Sequence, residues 1–333
     1  MTSTRRQLGI WTRYSRAGPK MRTLVMDALF RRMANDPSLF LLTADMGINL
    51  VEPFAETYPD RFLNVGIAEQ NLVGVGSGLA NLGFRPFLYT ISNFAVTRCL
   101  EQIRNDIVLH AYPITLLGTS TGYDNAPLGP THHILDDWGT LRSIPGIDIY
   151  CPSSTANAGW IFERVLRNER PAYVRIPKGS PSEPSSTGPQ VLLPGVTSEI
   201  LLLTYGSLVE GCIEVQENDD RVSVMVFNQL SPLDSKELAE VFSSYELLVV
   251  VEDQFAENGL YSSVCRIVAE HQLRGRVRSH SPVDYTLEVG TTREYYAKKD
   301  FCDSDGISRL LTRGGPVTSD ITQARHRGVN RDG

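Results

Sequence analysis

The chain has 333 residues, too many for one small domain and enough for two hydrophobic cores. Its 41% hydrophobic and 21% charged residues describe an ordinary globular protein, which excludes a disordered or fibrous one. A net charge of -6 speaks against nucleic acid, which needs a basic face, and no apolar run approaches the ~20 residues of a membrane span.

Residues 1 to 22 carry Arg5, Arg6, Arg13, Arg16, Lys20 and Arg22 with no acid. A transit peptide can look like this, but no amphipathic periodicity accompanies the charges, so residues 1–20 read as a basic, solvated arm. From residue 21 helix and strand patterns alternate. "MRTLVMDALFRRM" has helical spacing and "SLFLLTADM" is a buried strand; a helix opens near Glu69, followed by the strand "RPFLYTI" and the helix "FAVTRCLEQIRNDIVLH". The strand "PITLLGTS" then leads into the loop "TGYDNAPLGPTHH", a helix near residues 133 to 144, the strand "IDIYCPS", the helix "TANAGWIFERVLRN" and the strand "AYVRIP".

Composition then shifts to the Ser-, Pro- and Gly-rich "KGSPSEPSSTGPQVLLPG", which reads as a linker. Alternation restarts with the strand "EILLLTYG", a helix, the strand "RVSVMVFNQ", the helix "SKELAEVFSSY" and the strand "ELLVVVED". The helix "LYSSVCRIVAEHQ", the strand "RVRSHSP" and a short helix complete it. Strands interleaved with helices mean crossover connections. The expected fold is α/β, with two doubly wound domains, each a mostly parallel sheet flanked by helices. They span residues 21–185 and 192–314, with the end of the linker at 186–191 and a flexible polar tail at 315–333. The five cysteines, at 99, 151, 212, 265 and 302, lack CxxC or Cys/His spacing, which reads as reduced cytoplasmic thiols and no metal site.

Several residues are candidates for chemistry. Glu69 opens a helix that carries Gly74, Gly76 and Gly78, each costing roughly 1 kcal/mol relative to Ala. Close packing against another backbone would offset that cost, and a carboxylate pinned there could serve catalysis. The helix dipole alone also favours a Glu in a first turn. The long loop after "PITLLGTS" ends at His132 and His133, which either act on a ligand or cap the next helix. Arg175 suits an oxyanion by its planar fork, or simply forms a surface ion pair. GxxxxGK[ST], GxGxxG, HExxH and GxSxG motifs are absent.

Taken in order, "LLTADMG", "FLNVGIAEQN", "FAVTRCLEQIR", "GPTHH" with "DD" and "LRSIPG", "PAYVRIPKG" and "VVVEDQFAENGLYSSV" resemble the C-terminal half of transketolases over about residues 21 to 312. That half is a pyrimidine-binding domain followed by the transketolase C-terminal domain. The resemblance implies thiamine diphosphate and Mg2+ as cofactors, and transfer of a two-carbon ketol unit from a ketose to an aldehyde. At the position of Glu69 the family's Glu shares a proton with the pyrimidine ring and favours the imino tautomer that generates the ylid. Phe94 matches the aromatic that stacks on the pyrimidine, and Asp45 lies near the cofactor without a firm role. His132 resembles the His near the reacting oxygens of the sugar, and Arg175 the substrate-phosphate anchor. The glycines fit a helix packed at a subunit interface, since family active sites lie between chains.

Two departures stand out. Leu128 occupies the position of an acid that reads a sugar hydroxyl, and Ile91 and Thr97 stand where aromatics are usual. No GDG…N motif for diphosphate and Mg2+ occurs. The resemblance therefore implies a β-type subunit of a split transketolase, with an N-terminal, diphosphate-binding partner subunit in an α2β2 assembly that also self-dimerises. Alternatives are a pyruvate-decarboxylating subunit, similar to 1-deoxyxylulose-5-phosphate synthase or to the β chain of 2-oxoacid dehydrogenases, and a non-catalytic regulatory subunit.

Overall fold

The structure, a computed structural model, describes residues 20–179, 186–285 and 304–312. The basic arm up to residue 19, the middle of the linker and the polar tail lie outside the described residues. The first half runs α1 (Met21–Met33), β1 (Leu39–Thr43), α2 (Glu52–Thr57), β2 (Phe62–Asn64), α3 (Glu69–Asn81), β3 (Arg85–Ile91) and α4 (Ser92–Val96). It continues through β4 (Thr115–Thr119), α5 (Asp137–Arg142), β5 (Asp148–Tyr150), α6 (Thr155–Asn168) and β6 (Ala172–Ile176). The second half holds β7 (Gln190–Leu193), β8 (Ile200–Thr204), α7 (Val209–Asn218), β9 (Val222–Phe227), β10 (Gln229–Ser231) and α8 (Ser235–Phe242). After it come β11 (Leu247–Val251), α9 (Leu260–Glu270), β12 (Arg276–His280) and α10 (Ser304–Thr312).

Two sheets result, in the orders β10-β5-β6-β4-β3-β1-β2 and β12-β11-β8-β9-β7. All pairings are parallel except those of β10 with β5 and of β7 with β9. Every residue of β1, β4, β6, β8, β9 and β11 is buried, as parallel strands covered on both faces must be. One core lies under α1 and α6, where Met26, Leu29, Ile161 and Val165 meet Leu41 and Leu117. A second core joins the two sheets: Leu72, Val96, Trp138 and Leu141 share it with Leu201, Phe227, Phe242 and Val264. A third closes the far face of the second sheet with Val209, Cys212 and Ile307. The mostly parallel, helix-flanked α/β architecture expected from the sequence is therefore present in both halves.

Three local expectations change. The helix expected over residues 94 to 110 is broken: α4 ends at Val96, a single turn spans Leu100–Gln102, and a π-helical turn spans Ile103–Val108. The Thr97 hydroxyl turns back to donate to the Asn93 carbonyl at 2.8 Å and Cys99 N–H falls on Val96 O, so the regular ladder is interrupted. Part of the stretch read as linker is strand β7, an edge strand whose ladder partner β9 lies more than thirty residues away, for example Val191 opposite Val226. The single strand expected over 221 to 229 divides at Asn228. Its side chain accepts from Ser153 Oγ at 2.8 Å and donates to Gly188 O at 3.1 Å, and β10 then crosses to pair with β5 of the first sheet. Among the described residues no helix is long and apolar enough to cross a membrane.

Candidate active site

Beyond the carboxyl ends of β1, β2, β3 and β4 the chain gathers its candidate side chains, where open α/β sheets bind ligands. Glu69 is the first residue of α3 and only 3% exposed. A buried carboxylate needs a partner, and Glu69 Oε2 accepts from Arg98 Nη1 at 2.6 Å. Arg98 sits in the break after α4, its backbone carbonyl accepting from Gln70 Nε2 at 3.1 Å. Its guanidinium lies 4.2 Å from the centroid of the Phe94 ring. That ring in turn meets His132 edge-to-face, with centroids 5.3 Å apart. Glu69, Phe94 and His132, which the sequence singled out separately, are thus brought together, with Arg98 bridging the first two.

The loop carrying His132 is held on both sides. Asn93 Nδ2 donates to Thr131 O at 3.1 Å, and the Thr131 hydroxyl lies 2.9 Å from His132 Nδ1. Deeper in the loop, Asp124 Oδ2 accepts from Thr121 N at 2.9 Å and Lys178 N at 2.8 Å, tying the loop to the end of β6. His133 is buried, and burial together with the neighbouring His132 lowers its pKa. Buried Cys99 is pushed up to about 12 by desolvation and by the Glu69 carboxylate beside it, so it is a thiol and not a nucleophilic thiolate.

Asp45 and Leu128 flank this cluster. Asp45 follows β1 with φ of 55°, a left-handed conformation, and its N–H donates to Asn64 Oδ1 at 2.9 Å. The same Asn64 oxygen accepts from Gly66 N at 3.0 Å, so the Asp45 turn and the approach to Glu69 are braced by one side chain. Leu128 ends a single helical turn and is 59% exposed.

Arg175 does not join them. The oxyanion anchor expected at this position is an interior ion pair: Arg175 Nε donates to Asp137 Oδ2 at 2.9 Å, Nη1 to Asp253 Oδ1 at 2.8 Å and Nη2 to Ile134 O at 3.0 Å. The side chain is 1% exposed, and its donors point at protein groups. Neighbouring Glu252 accepts from the first two N–H groups of α9, Leu260 at 2.7 Å and Tyr261 at 3.0 Å. Burial raises the pKa of Glu252 to about 8 even so. Sequence reasoning passed over Arg98, Asp137, Asp253 and Glu252. Charged "ED" at the end of the apolar run "VVVED" was the available signal, because a charge at such a place must find a buried partner. Among the described residues no group of three or more His, Cys, Asp or Glu side chains is gathered as a metal site.

Side chains converging beyond the strand ends of one parallel sheet, with a second sheet packed behind, define a ligand-binding α/β enzyme. The transketolase pyrimidine binding domain matches residues 17–182 and the transketolase C-terminal domain matches residues 191–298. The chain belongs to the transketolase family and corresponds to the half of it that carries these two domains in this order. It is 27% identical over 270 residues to the B-type subunit of the apulose-4-phosphate transketolase of Actinobacillus succinogenes, covering 78% of this chain and 86% of that one. To the 1-deoxy-D-xylulose-5-phosphate synthase of Oleidesulfovibrio alaskensis it is 32% identical over 296 residues, 83% of this chain but only 45% of the synthase. Among solved structures it is similar to a split-gene transketolase described as an inactive beta4 tetramer, with a TM-score of 0.79, 25% identity and coverage of 88% of this chain and 98% of that one. A transketolase from Leishmania mexicana shares the fold at a TM-score of 0.75 and 15% identity over 91% of this chain and 46% of that one.

Proposed function

We propose that this chain is the β-type subunit of a split, thiamine-diphosphate-dependent transketolase that transfers a two-carbon ketol unit from a ketose to an aldehyde. The observation that carries this reading is the buried Glu69 carboxylate at the start of α3, one Arg98 side chain away from the half-buried Phe94 ring and so from His132. These residues fit the pyrimidine end of the cofactor: Phe94 offers a stacking face, and Glu69 a carboxylate that can share a proton with a ring nitrogen. The bound cofactor supplies the carbanion chemistry. Glu69 is then the proton-relay group, and His132, steadied by Thr131, donates a hydrogen bond to the substrate oxygen that gains charge. Asp45 lies at the cofactor's edge, and Leu128 lines the substrate approach.

Nothing among the described residues gathers as a metal site, which supports assigning the diphosphate and Mg2+ to an N-terminal-type partner subunit, in an α2β2 assembly. The extended likeness to one subunit of a two-subunit transketolase and to a split-gene transketolase supports the same division of labour. The four cysteines in the described residues are free thiols, which suits a cytoplasmic setting.

The test is reconstitution with a diphosphate-binding partner subunit, followed by turnover of a panel of ketoses, 2-oxoacids and aldehydes. Ketol transfer by the pair, and very weak thiamine diphosphate binding by this chain alone, are expected. Pyruvate decarboxylation with formation of a 1-deoxyketose would assign the chain to the synthase-like alternative. Inactivity of the assembled pair on every donor would favour a regulatory subunit. Tight Mg2+-dependent cofactor binding by the isolated chain would overturn the split site.

A further inference from the structure

Among the described residues, Arg98 is the charged side chain that touches both halves of the candidate pyrimidine seat. Its Nη1 lies 2.6 Å from Glu69 Oε2, and its guanidinium carbon lies 4.2 Å from the centroid of the Phe94 ring. A planar cation lying over an aromatic face takes the place that a stacked heterocycle would take. The same cation meets the carboxylate that such a heterocycle would need. Glu69 is 3% exposed, whereas the Arg98 side chain is 45% exposed and rests on a turn between helical segments. The partner that can move is therefore Arg98.

We propose that Arg98 is a latch on the cofactor seat: in the unassembled chain its guanidinium stands in for the pyrimidine ring, and it swings toward solvent when a flat heteroaromatic arrives. This rests on the reading of Glu69 and Phe94 as that seat. The closed latch keeps a buried carboxylate paired while no ligand is present, a state that would otherwise leave an uncompensated charge inside the protein. It also lowers the apparent affinity of the seat, because binding must draw on the fraction of molecules in which the latch is open. The contacts released are one half-exposed ion pair and one cation–π contact, which together correspond to about a three- to thirty-fold effect. Its release is independent of the chemical step, so Arg98 acts on binding and not on turnover.

The experiment uses the full chain and the free pyrimidine half of thiamine, 4-amino-5-hydroxymethyl-2-methylpyrimidine, held above its own pKa so that it is neutral. Ligand-observed NMR reads the dissociation constant for wild type, Arg98→Ala, Arg98→Gln and the double variant Arg98→Ala with Glu69→Gln. Arg98→Gln keeps a donor for Glu69 and guards against a folding failure of the alanine form, which circular dichroism reports. The latch predicts about three- to thirty-fold tighter binding in both single variants. It also predicts that added salt tightens wild-type binding of this neutral probe but leaves the single variants unchanged, since screening loosens only an existing ion pair. The double variant should lose the gain. Binding that is equal or weaker in both single variants overturns the latch while leaving the pyrimidine seat in place. Absence of binding in every form removes the seat itself, and the latch with it.

Discussion

Arg175 on β6 and Asp253 beyond β11 form a 2.8 Å ion pair that is almost fully buried on both sides. It runs between the two sheets, because Arg175 also holds Asp137 at the start of α5 in the first half of the chain. The guanidinium thus acts as a rivet at the place where the core shared by the sheets comes closest to the candidate site.

Arg175→Met should therefore destabilise the fold by about 3–5 kcal/mol, the usual cost of leaving buried charges without their partner. Urea denaturation of the two forms measures this. A variant that melts like wild type but shows a raised KM for phosphorylated substrates would restore the anchor role that the sequence suggested.

Glu252 sets a pH dependence. Its folded pKa of about 8 lies above the ordinary carboxylate value because burial outweighs the two N–H groups it accepts from α9. Between the two values the folded chain holds a proton that the unfolded chain has lost, so the contribution of Glu252 to stability falls as pH rises from about 5 to about 8. Glu252→Gln should flatten the stability profile across that window. Parallel profiles for the two proteins would assign the slope to other groups.

Glu69→Gln should fold normally, since an amide oxygen still accepts from Arg98. Turnover of the assembled enzyme is expected to fall about 10²- to 10⁴-fold with the loss of the proton relay. Near-normal turnover would leave Glu69 as a helix-opening residue and nothing more.

The glycines of α3 separate into two kinds. A Cβ on Gly76 would meet Leu88 at 2.8 Å, so Gly76 lets α3 approach β3 closely. Gly74 and Gly78 face outward with open space around them, four residues apart. The double substitution Gly74→Ala with Gly78→Ala should raise the stability of the isolated chain by roughly 1 kcal/mol per site. If a second copy packs on this face, the same change should weaken self-association, which analytical ultracentrifugation reads. Unchanged association would remove these glycines from any interface.

Leu128→Asp tests substrate choice. An exposed leucine offers shape and apolar contact where an acid would accept a sugar hydroxyl, so poor activity on xylulose 5-phosphate is expected from the wild type. The Asp form should recover about ten- to a hundred-fold in kcat/KM. An efficient wild type with an Asp form no better would show that Leu128 does not select substrate.

Local periodicity was a sound guide wherever a segment's environment repeats along itself. The helices Met21–Met33 and Thr155–Asn168 and the strand Arg85–Ile91 have the bounds their sequence patterns suggest, because one face or both faces of each are buried along its length. Glu69, Phe94 and His132 were legible because each stands in a motif whose neighbours are adjacent in the chain. Strands β7 and β10 were not legible, since a short edge strand exists only through a partner folded elsewhere. Charge pairing was hidden for the same reason: Arg98 finds Glu69 across 29 residues, and Arg175 finds Asp137 and Asp253 across 38 and 78. Spacing along a chain encodes which way a side chain faces, whereas the identity of its buried partner depends on the order of the strands. Sheet order brought Arg175 into the interior and left Arg98 at the mouth of the site.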